Sequence, residues 1–134
     1  MKIFIDGKGA IVGRLGSYAA KELLKGKEVV ILNSEEAIIS GDKKDILEKV
    51  FVLRKKGGNS LKGPKISKLP DRFLKRKIRG MLPWDKPRGR AAYKRLRCYV
   101  GGALKEDEKK NIKKIEWKKP AKYMTIKQIV SYLK

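Results

Sequence analysis

The residues with the strongest chemical bias in this chain are cations. Between Asp71 and Gly89 it reads DRFLKRKIRGMLPWDKPRG. Arg72, Lys75, Arg76, Lys77 and Arg79 precede a Gly-Met-Leu-Pro break, and Lys86, Arg88 and Arg90 follow it. Only Asp71 and Asp85 oppose them, each where it could cap a helix. Cations this dense repel one another unless a polyanion lies alongside, so the stretch is expected to face phosphate backbone, with RNA the first choice. The series extends both ways, through Arg54, Lys55, Lys56, Lys62, Lys65 and Lys68 upstream and Lys94 and Arg95 downstream. Arginine bridges close phosphates and stacks on splayed bases, which suits folded RNA. Each phosphate neutralised releases counterions, so affinity should fall steeply with salt. No helix-turn-helix, zinc-finger or basic-zipper pattern is present, which lowers the DNA reading.

Other chemistry has less to stand on. The chain has no histidine, so the commonest general base is missing. Asp6, Glu35 and Glu36 fall near expected strand ends, where an α/β protein would place a site, but loop carboxylates are more often simply solvated. One cysteine, Cys98, excludes an internal disulfide and, without histidine, a Cys-based zinc site. It is expected as a small buried hydrophobe on a strand. No catalytic residue, cofactor or metal is therefore expected. The alternative reading is a small nucleotide-cofactor enzyme using the Gly7–Gly13 loop. Its spacing fails the dinucleotide fingerprint, because Val12 stands where the third glycine belongs and no second half follows. Arg14 is more informative. It sits in the first turn of an expected helix, where the dipole disfavours a cation, so RNA binding is one explanation and a solvated or core-paired arginine the other.

These cations need a scaffold. The chain has 134 residues, 41% hydrophobic, enough for one domain with a real core. Its formal charge of +22 is extreme for a metabolic enzyme and ordinary for a protein that lives against nucleic acid. The charge is uneven. Residues 1–53 carry 9 basic and 8 acidic groups, residues 54–97 carry 17 and 2, and residues 98–134 carry 10 and 4. We therefore expect a single domain over 1–134: an α/β scaffold (1–53), a basic RNA-facing loop and helices with the start of the last strand (54–97), and a strand end, surface tail and final helix (98–134). No apolar run approaches the roughly 18 residues of a membrane span, and no signal peptide is evident, so a cytoplasmic location is expected, with no membrane or small-molecule partner.

Periodicity places the elements. Lys2–Asp6 reads as a strand. Val12, Leu15, Ala19 and Leu23 share a helix face, with Gly26 as the terminating glycine. Glu28–Leu32 is a continuous apolar run, as in a strand buried on both sides of a parallel sheet. Together they form a βαβ unit. Ala37–Ile39 is a third strand candidate. Ser40 or Asp42 caps a helix with Ile46, Leu47, Val50 and Leu53 as its core positions. Gly57–Pro70 is an extended loop that could order along RNA. Leu74 and Ile78 dock the basic helix, Gly80 permits positive φ, and Met81 and Leu82 plug the turn. Trp84 is either a base-stacking or a core-edge residue. A second helix runs from Pro87 to Arg95 and a strand from Leu96 to Val100. Lys105–Lys119 wraps the surface, anchored by Ile112, Ile115 and Trp117. Thr125 caps a last helix with Ile126, Ile129, Val130 and Leu133 inward.

Three blocks in this order resemble a known family. Gly13-Arg14-Leu15-Gly16-Ser17 with Ala19-Ala20-Lys21 and Leu23-Leu24-Lys25-Gly26 is the first, and Val29–Asn33 with Glu35 and Ile39-Ser40-Gly41 the second. The third and most specific is Arg79-Gly80-Met81-Leu82-Pro83 with Arg88-Gly89, Ala91-Ala92 and Arg95–Gly101. Together they resemble the universal large-subunit ribosomal protein family L-thirteen. The bacterial branch carries a histidine-containing segment where this chain has Gly57–Pro70, so the resemblance is to the archaeal and eukaryotic branch. The resemblance implies a three-layer α/β/α domain with a small, mainly parallel sheet, carrying a basic helical and loop extension. It also implies a structural role on large-subunit ribosomal RNA with early binding during assembly, beside neighbouring ribosomal proteins and not as a homo-oligomer. It puts Arg79, Gly80, Arg88, Gly89, Lys94 and Arg95 in the RNA-facing block, and implies no cofactor or catalysis.

Overall fold

A computed structural model of the chain describes residues 2–55, 68–101, 112–113 and 118–133, the pair 112–113 by backbone only. The β-branched run Lys2–Asp6 forms strand β1 and the apolar run Glu28–Leu32 forms β2. They pair in parallel, Phe4 opposite Val30 and Ile5 opposite Ile31. Helix α1 (Val12–Leu24) crosses between them, with Leu15, Ala19 and Leu23 fully buried. It ends in a Schellman motif: Gly26 N–H donates to the Leu23 carbonyl at 3.0 Å and Lys27 N–H to Glu22 at 3.3 Å. Gly26 takes φ +94, the left-handed conformation that this ending requires.

β4 (Leu96–Cys98) adds to the far edge of β2, and β5 (Ile112–Lys113) to the outer edge of β1. The order is β4-β2-β1-β5, all parallel. β5 corrects the expectation that Lys105–Lys119 only wraps the surface; Ile115 and Trp117 lie outside the described residues. The third candidate strand forms as β3 (Ile38–Ser40) but leaves the main sheet. It pairs antiparallel with β6 (Tyr123–Thr125). The strand expected over 96–100 stops at Cys98, although Tyr99 N–H still donates to the Ile31 carbonyl at 2.9 Å.

Among the described residues four more helices follow: α2 (Lys43–Lys55), α3 (Pro70–Arg79), α4 (Pro87–Lys94) and α5 (Ile126–Leu133). Ile5, Val29, Ile31, Leu96 and Cys98 form the sheet's side of the large core, which α1, α3 and α5 complete. Phe4, Val30 and Leu32 form a second buried cluster on the opposite face. The architecture is a mixed α/β domain around a small parallel sheet, with the large core on one face and these three residues buried on the other.

Local chemistry explains most boundaries. Thr125 and Gln128 form a capping box at α5, each accepting the other's backbone N–H at 3.2 Å. Asp42 precedes α2, and its carbonyl accepts the Ile46 N–H at 3.0 Å. Neither Asp71 nor Asp85 is a cap. The cap positions are Leu69 and Lys86, and both helices start instead on a proline, Pro70 and Pro87, whose fixed φ suits the first turn. Gly80 has φ −64, so the turn makes no use of its left-handed freedom. Leu53 is 36% exposed and not a core position; Phe51 packs against the core in its place. On α3, Phe73 joins Leu74 and Ile78 in the core, an anchor that the surrounding cations masked in the sequence. Leu82 is buried as expected, whereas Met81 is 38% exposed and lies over Gly16.

Candidate nucleic-acid interface

Helices α3 and α4 form a layer on α1 whose apolar side is anchored by Phe73, Leu74, Ile78 and Ala92. Close backbone approach sets its angle. A Cβ on Gly89 would fall on the Pro83 carbonyl, and one on Gly16 would stand 2.6 Å from the Met81 sulfur. Gly89, which the resemblance puts in the RNA-facing block, is buried packing between the turn and α4. Gly80 is exposed, and a Cβ there would make only ordinary contact.

The outward side is cationic. Arg72, Arg76 and Lys77 on α3, and Lys86, Arg88, Arg90 and Lys94 around α4, are exposed. Lys75 and Arg79 lie half-buried against aromatic rings. The Lys75 ammonium sits 4.7 Å from the Tyr93 ring centre and the Arg79 guanidinium 4.0 Å from that of Trp84. The two rings meet edge to face at 5.1 Å. Arg90 Nε donates to the Trp84 carbonyl at 3.0 Å, fixing the turn to α4. Trp84 is thus a rest for Arg79, with its ring perpendicular to that of Tyr93. Contacts of this kind are worth roughly 0.5–1 kcal/mol each when exposed. They hold the side chains in place while leaving the charge uncompensated.

The ion pairs lie elsewhere. Among the described residues the ion pairs are Glu22 with Lys25 and Lys27, and Asp42 with Lys122. None involves α3 or α4. Crowding has a titration signature. Partial burial, with Arg76 adding to it, pushes the Lys77 ammonium below its ordinary value. Burial raises the Tyr93 phenol against the opposing pull of Arg79 and Arg76. Burial also pushes the Cys98 thiol up to about 12, so this residue is the inert strand hydrophobe expected.

Other predicted cations are placed as follows. Arg14 is exposed in the first turn of α1, without an acid in that turn or an ion pair among the described residues. Gly16, on the next turn, touches Met81, so the start of α1 borders the same layer. Arg54 and Lys55 are exposed at the end of α2, and Lys77 shares a groove with Val52 and Leu53 of that helix. Lys68 is exposed just before α3. Lys56, Lys62 and Lys65 lie outside the described residues, with most of the expected RNA-ordering loop. Arg95 points inward: Nη2 donates to the Leu23 carbonyl at 2.7 Å, adding to the α1 ending, and Nε is buried without a partner.

The residues of the competing cofactor reading serve the fold. Gly7 N–H donates to the Leu32 carbonyl at 2.8 Å, and a Cβ on Gly7 would press on that oxygen. Asp6 Oδ1 accepts from Lys8 N–H at 3.0 Å and Asn33 Nδ2 at 2.9 Å. Glu35 Oε2 accepts the Gly101 N–H at 3.1 Å, so these carboxylates tie loops together.

Comparison with known proteins agrees with this architecture. Residues 1–105 match the family model described as ribosomal protein L13. A large ribosomal subunit protein uL13 from Archaeoglobus fulgidus is 41% identical, over 96% of this chain and 85% of its own length. The protein of that name from Methanocaldococcus jannaschii is 42% identical, over 96% and 95%. That from Methanococcoides burtonii is 50% identical over 72% and 69%. With a family match over most of its length and archaeal relatives along nearly all of it, the chain belongs to the ribosomal protein L13 family, in its archaeal form.

Proposed function

We propose that this chain is a structural component of the large ribosomal subunit. It binds large-subunit ribosomal RNA through the α3–turn–α4 layer and helps that RNA fold early in assembly, in the cytoplasm and beside neighbouring ribosomal proteins. Members of this family are structural parts of the translation machinery rather than enzymes. One observation carries the RNA reading: the cations of α3 and α4 have no ion pair among the described residues, and three of them, Lys75, Lys77 and Arg79, lie over aromatic rings. Such a surface is costly to assemble alone and favourable against phosphates. The start of α1, with Arg14, extends it.

The test is binding to large-subunit ribosomal RNA and to unrelated RNA of equal length, across a salt series. Replacing Arg76, Lys77 and Arg79 with Ala is expected to flatten the salt slope by roughly 0.7–0.9 for each phosphate no longer neutralised, with the melting temperature kept or raised. An unchanged slope removes these residues from the interface. Equal affinity for both RNAs, collapsing together with salt, refutes a specific ribosomal site.

A further inference from the structure

Helix α2 is held to the domain by a narrow face. Ile46 and Val50 are its buried residues, with Leu47 and Phe51 packed partly against the core. Its outer side carries Asp45, Glu48 and Val52 in one row at helical spacing, with Leu53 beside them. Val52 is 51% exposed and Leu53 36%. These four residues and Lys49 form one wall of a groove of about 630 Å³, and Lys77 of α3 stands on the other. Lys77 is seated there by the Phe73 ring, 5.5 Å from its ammonium. The groove is polarised along α2. Asp45 lies in the first turn and Val52 seven residues later, roughly 10 Å along the axis at a rise of about 1.5 Å per residue. Neither Asp45 nor Glu48 forms an ion pair among the described residues. Two acids and two lysines thus balance here, in a chain of formal charge +22.

We propose that the α2–α3 groove docks a segment of a neighbouring large-subunit protein, with an aliphatic side chain over Val52 and Leu53 and a lysine or arginine at Asp45 and Glu48. The inference rests on the ribosomal reading above and gives the chemistry of a protein partner which that reading leaves open. Phosphate gains little in this groove, because each approach to Lys49 or Lys77 also brings it toward a carboxylate. Aliphatic surface next to unpaired acids suits a polypeptide instead, which can bury the one and complement the other. The spacing restricts the partner further. About three residues of extended chain, or about two turns of helix, separate its cation from its aliphatic anchor.

Photocrosslinking inside the assembled particle tests this. The photoreactive residue p-benzoylphenylalanine replaces Lys49, which leaves both acids and both aliphatic residues in place. The variant is incorporated into large subunits reconstituted from ribosomal RNA and total large-subunit protein. After irradiation the joined peptide or nucleotide is identified by mass spectrometry. The expected product is a peptide of another ribosomal protein that carries a cation and an aliphatic residue at the stated spacing. Adding Glu48→Lys is expected to lower the yield of that product roughly fivefold, with the melting temperature and the RNA salt slope unchanged. A product with RNA or with residues 56–67 of the same chain overturns the docking proposal and leaves the ribosomal reading intact. So does the lack of any product, or a yield that Glu48→Lys does not change. Failure of the wild-type chain itself to enter the reconstituted particle overturns both.

Discussion

In the α/β scaffold the acid Glu22 accepts from Lys27 at 2.9 Å and from Lys25 at 3.5 Å, and Asp42 meets Lys122 at 2.9 Å. Across the α3–α4 layer, Lys75 and Arg79 rest on Tyr93 and Trp84. Both regions order long cationic side chains, by different means. A carboxylate neutralises what it holds, so Lys25, Lys27 and Lys122 are satisfied within the protein. An aromatic ring fixes position and leaves most of the field outside, so the layer's cations remain available to phosphate. The supporting residue, more than the cation itself, therefore distinguishes a structural charge from a binding one. Arg95 makes the point within the basic stretch: its guanidinium is committed to the Leu23 carbonyl, while its neighbour Lys94 is exposed.

The largest effect expected from breaking this contrast is at Gly89. Gly89→Ala keeps every charge but drives a methyl into the Pro83 carbonyl, which flexible side-chain motion cannot relieve. Overpacking against backbone should cost on the order of 3 kcal/mol in urea unfolding. RNA binding should weaken with it, because α4 must tilt. Undiminished stability refutes the close approach as the reason for this glycine.

A smaller effect is expected from Trp84→Leu. It removes the rest beneath Arg79 and retains all cations. Without that cation–π interaction, worth about 0.5–1 kcal/mol, RNA affinity should fall roughly two- to fivefold with an unchanged salt slope. A reduced slope would instead mean that Arg79 had left the interface.

The smallest effect is on the scaffold side. The Lys27 hydrogen bond holds the Glu22 carboxyl below its ordinary value, against the opposing influence of burial. A lowered native pKa gives stability that is present above the unfolded value and is lost as pH falls through the native one. The wild-type melting temperature should therefore exceed that of Glu22→Gln at pH 7. The difference should close as pH drops below the ordinary glutamate value of about 4.3. RNA affinity at pH 7 should not distinguish the two proteins. A difference that does not narrow as pH falls removes the ionised pair as its source.

Much of the frame was readable from the chain because its signals are local. The α1 face, its Gly26 ending, the doubly buried β2 run and the Thr125 cap depend on residues within one or two turns of each other. What escaped depends on distant partners. Arg95 meets a carbonyl 72 positions away, and β3 leaves the main sheet because β6 lies beside it. A two-residue strand such as β5 has no periodicity to detect; the open edge of β1 specifies it. In the interface the run of cations was plain, but their aromatic rests were not. Nothing local marks Tyr93 in a basic helix, and Trp84 reads as a core-edge or base-stacking residue rather than as the rest of an arginine. Lys75 and Arg79, four apart with two aromatics shortly after them, were the available clue.

The strand order also dictates a sequence of events during synthesis. β1, α1 and β2 are complete within the first quarter of the chain, and α3 and α4 are made before its last quarter emerges. The outer edge of β1 nevertheless waits for Ile112–Lys113. Pairings between such distant positions close late, because loop entropy must be met first. A nascent chain therefore holds its cationic helices ready while its first strand is still open to water on one side, and RNA can engage the layer before the sheet has its final edge.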